Sequence, residues 1–351
     1  MTPGDTLTFA ATSAHTAGSE PFWLMLIKAG LIAFIVITIF AYVMLWERKL
    51  LGRFQARYGP NRTGLLGYMQ PLADVVKLIF KEDFVPRGAN KILFHVAPLL
   101  AIMTAVAGIA LIPFGETAEL LGHTFTMYGT DLSVGVLVLF ALSSLGHYGL
   151  MLGGWASGNK YSLLGSARTA AQLVSYEVSM GLSILGVLMI AQSLSLLDIV
   201  HAQMDSVWYI LLQPVGFAVF AVAAVAETNR VPFDLPEAES ELVAGYLTEY
   251  SGLKFAIFAM AEYVNMIVLS GLGATLFLGG FDGPWLPGYL AWIWLLVKIL
   301  AFLFVFIWLR ATLPRLRYDQ LMRFGWKVLL PVATANVIVT AIIVGVFFQN
   351  K

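Results

Sequence analysis

Three glutamates sit where carboxylates are costly. Glu177 and Glu262 fall inside long apolar stretches, and Glu227 closes a third at one end. Placing an ionised side chain in hydrocarbon costs roughly 3 kcal/mol or more, so such groups face protein or water. In that setting a carboxyl group can take up and hand on protons near neutral pH. For a lone Glu, gluing of helices by hydrogen bonds is an equal alternative. Several together, beside an acidic segment, favour proton handling. That segment reads AETNRVPFDLPEAESELVAGYLTEY and holds Glu237, Glu239, Glu241 and Glu249, with Asp234 and Glu227 nearby. Pro232 and Pro236 prevent a continuous helix at its start. It reads either as a solvated loop that docks a basic partner or as a water-filled funnel toward Glu262 and Glu177. Lys298 lies near the middle of another apolar stretch, too deep to snorkel easily. It is expected to pair with an intramembrane carboxylate and is grouped with the proton-coupling residues.

The elements that must position these groups are apolar stretches at about 21–46, 91–112, 132–152, 169–192, 207–227, 253–279, 289–310 and 326–349. Each has roughly the 20 residues a spanning helix needs. The chain is 59% hydrophobic and 12% charged, with mean hydropathy +0.81. A soluble domain of 351 residues needs far more surface charge. The expected class is therefore all-α: a polytopic membrane protein of about eight spans. All but three of the 21 Lys and Arg fall in alternate connecting loops, at about 47–90, 153–168, 228–252 and 311–325 or their helix edges. The exceptions are Lys28, Lys298 and Lys351. This bias puts those loops in the cytoplasm and both termini outside. Residues 1–20 then form an external tail, and 21–351 a single transmembrane domain. The tail has no basic n-region and no Arg-rich transit pattern, so the expected location is the bacterial inner membrane.

The first loop contains Leu65, Tyr68, Met69, Leu72, Val75, Val76, Ile79 and Phe80 at helical spacing, with Gln70, Asp74, Lys77 and Lys81 opposite. An amphipathic interfacial helix is expected over about 71–82, with Pro71 in its first turn. Its apolar face suits a peripheral anchor or a wall of a cavity roofed by a partner. In the fourth span, Arg168, Gln172, Ser175, Tyr176, Ser179 and Ser183 share one face and Glu177 points away from it. That helix should meet protein or water on two sides.

Cysteine is absent, which excludes Cys-ligated iron–sulfur clusters, Cys-zinc sites and disulfides in this chain. The 5 His have no paired ligand spacing, and zero net charge gives no reason to expect a nucleic-acid partner. Redox chemistry here would need electrons from a partner.

Long segments of the chain resemble the H subunits of the NADH–quinone oxidoreductase, respiratory complex I. ERKLLGRFQARYGPNRTGLLGYMQPLADVVKLIFKED is similar to that family's first cytoplasmic loop. GWASGNKYSLLGSARTAAQLVSYE, AETNRVPFDLPEAESELVAGYLTEYSG with FAMAEYVNM, and LRATLPRLRYDQLMRFGWKVLLP are similar to its later signatures, in the same order. The resemblance implies a membrane-arm subunit that forms much of a quinone chamber. Arg48, Arg53, Arg57, Asp74, Lys77, Met260 and Arg310 would lie at or beside it. It also implies that Glu177, Glu227, Glu237, Glu239, Glu241 and Glu262 form a carboxylate chain coupling quinone reduction to proton translocation. The substrate is then a quinone, ubiquinone or menaquinone. FMN and Fe–S clusters are expected in partner subunits, with no Fe–S, flavin or metal in this chain. The implied neighbours are peripheral-arm quinone-site subunits on the cytoplasmic side, and small and antiporter-like membrane subunits laterally, within membrane lipid. Three alternatives stand beside this: the related subunit of an energy-converting hydrogenase or formate-linked complex, an autonomous cation–proton antiporter, and a structural anchor. The last leaves the intramembrane glutamates unexplained.

Overall fold

The computed structural model describes residues 22–115, 117–120, 123–234, 243–284 and 290–348. The tail expected over 1–20 lies outside them. The chain folds as a helical bundle. Helix α1 runs Phe22–Phe54 and the interfacial α2 runs Gln70–Ile79. Then come α3 (Lys91–Ile109), α4 (Gly135–Ala156) and α5 (Lys160–Ala191). The short α6 (Leu196–Met204) and α7 (Tyr209–Leu212) lead into α8 (Pro214–Glu227). Next are α9 (Gly252–Phe277) and α10 (Trp292–Thr312). Finally α11 (Tyr318–Phe324) passes through a π-type turn at Gly325–Leu329 into α12 (Leu330–Phe348). An antiparallel hairpin, β1 (Thr117–Leu120) with β2 (His123–Thr126), decorates the second loop and leaves the helical class unchanged.

Local chemistry sets the helix starts. Asn90 caps α3 by accepting from the Leu93 amide at 3.4 Å, and Asn159 caps α5 by accepting from Tyr161 at 2.9 Å. Pro71 occupies the first turn of α2, as its spacing suggests. Among the described residues, seven helices are long and apolar enough to cross a membrane. The fifth expected span, 207–227, is interrupted. Pro214 has no amide proton and starts a new helix, so α8 has 14 residues and reaches only about 21 Å at 1.5 Å per residue. Gln213 fills the break. Its amide donates to Thr340 Oγ1 at 2.7 Å and its carbonyl accepts from Asn336 at 2.8 Å, tying the break to α12.

Small residues bring the central helices close. A Cβ on Gly149 of α4 would lie 2.9 Å from backbone atoms of Ala97 and Ala101 on α3. Helix α9 is the most enclosed span, packing on α1, α3, α8 and α10. In α5, Gln172, Ser175, Tyr176, Ser179 and Ser183 are buried, and the exposed large apolar side chains are Tyr161, Leu163 and Leu164 near its start and Val174, Val178 and Leu185 along one stripe. The two-sided contact expected of this helix is present. Tyr176 also reaches α11, donating to the Leu321 carbonyl at 3.0 Å just before the π-type turn.

Candidate functional site

Helix α4 presents Ser143, Ser144 and His147 within about one turn, toward α5 and α8. The Ser144 hydroxyl donates to Glu177 Oε1, and the Ser143 hydroxyl donates to Glu227 Oε1. The His147 ring stands between these carboxylates. Its Nδ1 is 3.7 Å from Glu177 Oε2 and its Nε2 is 3.7 Å from Glu227 Oε1. Glu227 is fully enclosed, while His147 and Glu177 retain slight exposure.

A cavity of about 50 Å³ continues from this cluster. Ser143, His147, Glu227, Asn229, Glu262 and Asn265 all line it. A water needs roughly 10–15 Å³ measured this way, so the space suits a few waters rather than a quinone ring. Beyond it the charges alternate. Glu262 Oε1 lies 2.8 Å from Arg230 Nε, and Arg230 Nη1 donates to Glu47 Oε1 at 3.2 Å. Glu47, only 3% exposed, also accepts from Arg310. The Tyr263 ring lies 4.2 Å from the Arg230 guanidinium carbon. Burial pulls the Arg230 pKa down, but Glu262, Tyr263 and Glu47 outweigh it, so the group stays charged well above the usual arginine range.

The first loop supplies a second group of residues. Arg48 donates to Asp74 Oδ2 at 2.6 Å, which anchors α2 to α1. Gln70 donates to Asp74 Oδ1 at 2.9 Å and accepts from Thr63 at 2.8 Å. Arg57 is exposed and donates to Gln55 at 2.7 Å; Arg53 and Lys77 are exposed. Gly67, at φ 81°, shapes the loop before α2: a Cβ there would lie 2.2 Å from the Pro60 carbonyl oxygen. The apolar side of α2, from Leu72 through Val75, Val76 and Ile79 to Phe80, is exposed. Met260 is half-buried on α9.

Glu177, Glu227 and Glu262 thus converge, and Arg310 joins them through Glu47 rather than standing apart. Lys298 does not pair as expected. Its ammonium donates to the carbonyls of Leu278 (2.5 Å), Gly280 (2.8 Å) and Asp282 (2.6 Å), and sits 4.7 Å from the Trp208 ring. It closes the C-terminal end of α9, where orphan carbonyls attract cations, instead of meeting an intramembrane carboxylate. Glu237, Glu239 and Glu241 lie outside the described residues. Of their neighbours, Glu249 accepts from Asn159 at 2.7 Å and Asp234 pairs with Arg315 at 2.7 Å. Among the described residues, no group of three or more His, Asp or Glu is placed to hold a metal.

Two members of the network do not emerge from the sequence reading. Glu47 lies inside the basic ERK motif, although a carboxylate at the end of an apolar run carries the same signal as Glu227. His147 has no place among spaced metal ligands. Its signal is an ionisable ring amid the apolar run 132–152, enough to mark it as a candidate proton group.

Fold and network define an integral helical membrane protein with ionisable groups threaded through its interior. The family model described as NADH dehydrogenase matches residues 27–341. The chain is 54% identical over 315 residues to an H subunit of the NADH-quinone oxidoreductase of Geobacter metallireducens, covering 90% of this chain and 94% of the relative. It is 53% identical to the H subunit of Thermomicrobium roseum, covering 92% and 97%, and 54% identical to that of Deinococcus deserti, covering 92% and 85%. The chain belongs to the NADH dehydrogenase family, as a membrane subunit of the NADH-quinone oxidoreductase type.

Proposed function

We propose that this subunit forms much of the quinone-binding chamber of its complex and couples quinone reduction to proton translocation through buried carboxylates. The observation that carries this reading is the shared cavity. It joins Glu227 to Glu262, with Glu177 on one side and the Arg230–Glu47–Arg310 string on the other. Reduction of a quinone leaves negative charge and a demand for protons in a poorly screened space. That change perturbs the nearest charged groups and is passed on to Glu262, Glu227 and Glu177. Arg48, Arg53, Arg57, Asp74, Lys77, Met260 and Arg310 are the chamber residues in this reading. The exposed apolar face of α2 suits a wall covered by lipid or by a neighbouring subunit. The EAESE glutamates belong to the cytoplasmic mouth of the carboxylate path.

Other subunits of the complex are the partners. Those of the peripheral arm supply FMN and Fe–S clusters from the cytoplasmic side, and the small and antiporter-like membrane subunits lie laterally. The protein resides in the bacterial inner membrane as one transmembrane domain with both termini outside. Inverted membrane vesicles from a strain lacking the subunit, complemented with wild type or with Glu177→Gln, Glu227→Gln or Glu262→Gln, test the coupling role. NADH-driven quinone reduction and proton uptake should both fall, by about tenfold or more for loss of an essential proton-transfer group. Normal values for both in any one variant would remove that residue from the path.

A further inference from the structure

We propose that His147 carries the proton between Glu227 and Glu177. The proposal rests on the carboxylate path above and names the group that closes the gap between these two side chains. Each ring nitrogen addresses a different carboxylate, Nε2 toward Glu227 on α8 and Nδ1 toward Glu177 on α5, at 3.7 Å each. Neither nitrogen has a partner within hydrogen-bonding distance, although both are buried. At 3.7 Å the ring is not a strut holding the helices together, because a hydrogen bond needs about 3 Å. The distance instead is one that a small rotation of the ring closes, and the adjoining cavity supplies the space.

The surroundings suit such a carrier. Ser144 holds Glu177 Oε1 and leaves Oε2 toward the ring, whereas Ser143 donates to Glu227 Oε1, the oxygen that also faces Nε2, and so orients it toward the imidazole. Besides His147, the titratable groups lining the cavity are Glu227 from α8, Tyr246 from the turn at Gly245–Leu247 and, across it, Glu262 from α9, whose charge Arg230 meets; Glu177 faces the ring from α5. Helix α3 contributes Thr104, whose hydroxyl donates to its own helix at Leu100 and Ala101, and no titratable side chain to the cavity. Imidazole is the side chain that accepts a proton at one nitrogen and releases another from the second near neutral pH. In the transfer, the O–H bond of a protonated Glu227 breaks and an Nε2–H bond forms. The Nδ1–H bond breaks and an O–H bond forms on Glu177. No electrons are exchanged between groups, and the ring is left as the Nε2–H tautomer; exchange with water in the adjoining cavity, which takes the Nε2 proton and returns one to Nδ1, restores the starting form.

The test uses the assembled complex in inverted vesicles. His147→Gln keeps amide groups able to hydrogen-bond both carboxylates but carries no proton at neutral pH. NADH oxidation by ferricyanide reports assembly. With that activity intact, the expected result is a fall of about tenfold in NADH–quinone reduction and proton uptake. Near-normal coupled turnover of H147Q, alongside impaired Glu177→Gln and Glu227→Gln, overturns the relay while leaving the carboxylate path standing. Normal turnover in the two glutamine variants is instead the failure of the path itself. If H147Q does not assemble, His147→Ala with added imidazole answers the question. Recovery of coupled turnover by imidazole, with a pH profile that follows its titration, supports the relay, and no recovery in an assembled complex overturns it.

Discussion

At the scale of single residues, Glu47 occupies the most exacting position. Its carboxylate is buried and serves two arginines, Arg230 and Arg310. Buried ion pairs give little net stability over apolar packing, yet removing one partner costs roughly 3–5 kcal/mol because the other charge is stranded. Glu47→Gln leaves Arg230 its contact with Glu262 but deprives Arg310 of its carboxylate. The expected loss is about 3 kcal/mol. It would be measured as a lower temperature at which the detergent-solubilised complex sheds this subunit, and an unchanged temperature would show that the pair is not structural. Glu177, Glu227 and Glu262 are legible in the sequence because carboxylates in apolar runs are conspicuous. Glu47 is not, because it sits at the junction of an apolar run with a cationic loop and reads there as surface. His147 is obscured for a different reason. A neutral histidine costs an apolar helix little, so nothing in the local pattern demands an explanation until α5 and α8 are seen to bring a carboxylate to each nitrogen.

At the scale of elements, the position of Lys298 shows what linear order omits. Depth in an apolar run says nothing of where the preceding helix stops. Helix α9 ends at Phe277 and the chain folds back, so the carbonyls of the turn that follows, at Leu278, Gly280 and Asp282, lie beside Lys298. Lys298→Met removes charge-assisted hydrogen bonds from three carbonyls. The expected cost is about 2 kcal/mol, confined to this turn and read as faster amide exchange over residues 278–284. Unaltered exchange there would mean the turn is held by other contacts, among them Gln203 Oε1, which accepts from the Gly279 amide at 3.0 Å. The same limit applies to α8. Composition marks 207–227 as one span, but Pro214 divides it. The compensation by Gln213, Asn336 and Thr340 joins residues more than 100 positions apart, which periodicity cannot reveal. Interfacial α2 is readable because Pro71 and the alternation of faces are local properties.

At the scale of the whole molecule, the alternation of basic loops is readable without any structure, because orientation depends on charge summed over loops. The absence of Cys makes it simple to check. With Gln55→Cys and Ser206→Cys introduced singly at exposed positions, an impermeant maleimide should label the first from inverted vesicles and the second from intact spheroplasts. The opposite pattern would reverse the topology. From end to end, the buried network has two halves with different electrical behaviour. From Arg310 through Glu47 and Arg230 to Glu262 the signs alternate, and Arg230 holds its charge among carboxylates. Such a string polarises but passes no current. From Glu227 to Glu177 every group can gain or lose a proton. On the coupling proposed above, the arrangement acts as a capacitor in series with a conductor: charge appearing at one end produces a displacement that the other end discharges as protons. On the same proposal, steady throughput requires that the first charge be removed in every cycle, which would tie each pulse of proton movement to one turnover and block slippage while the enzyme is idle.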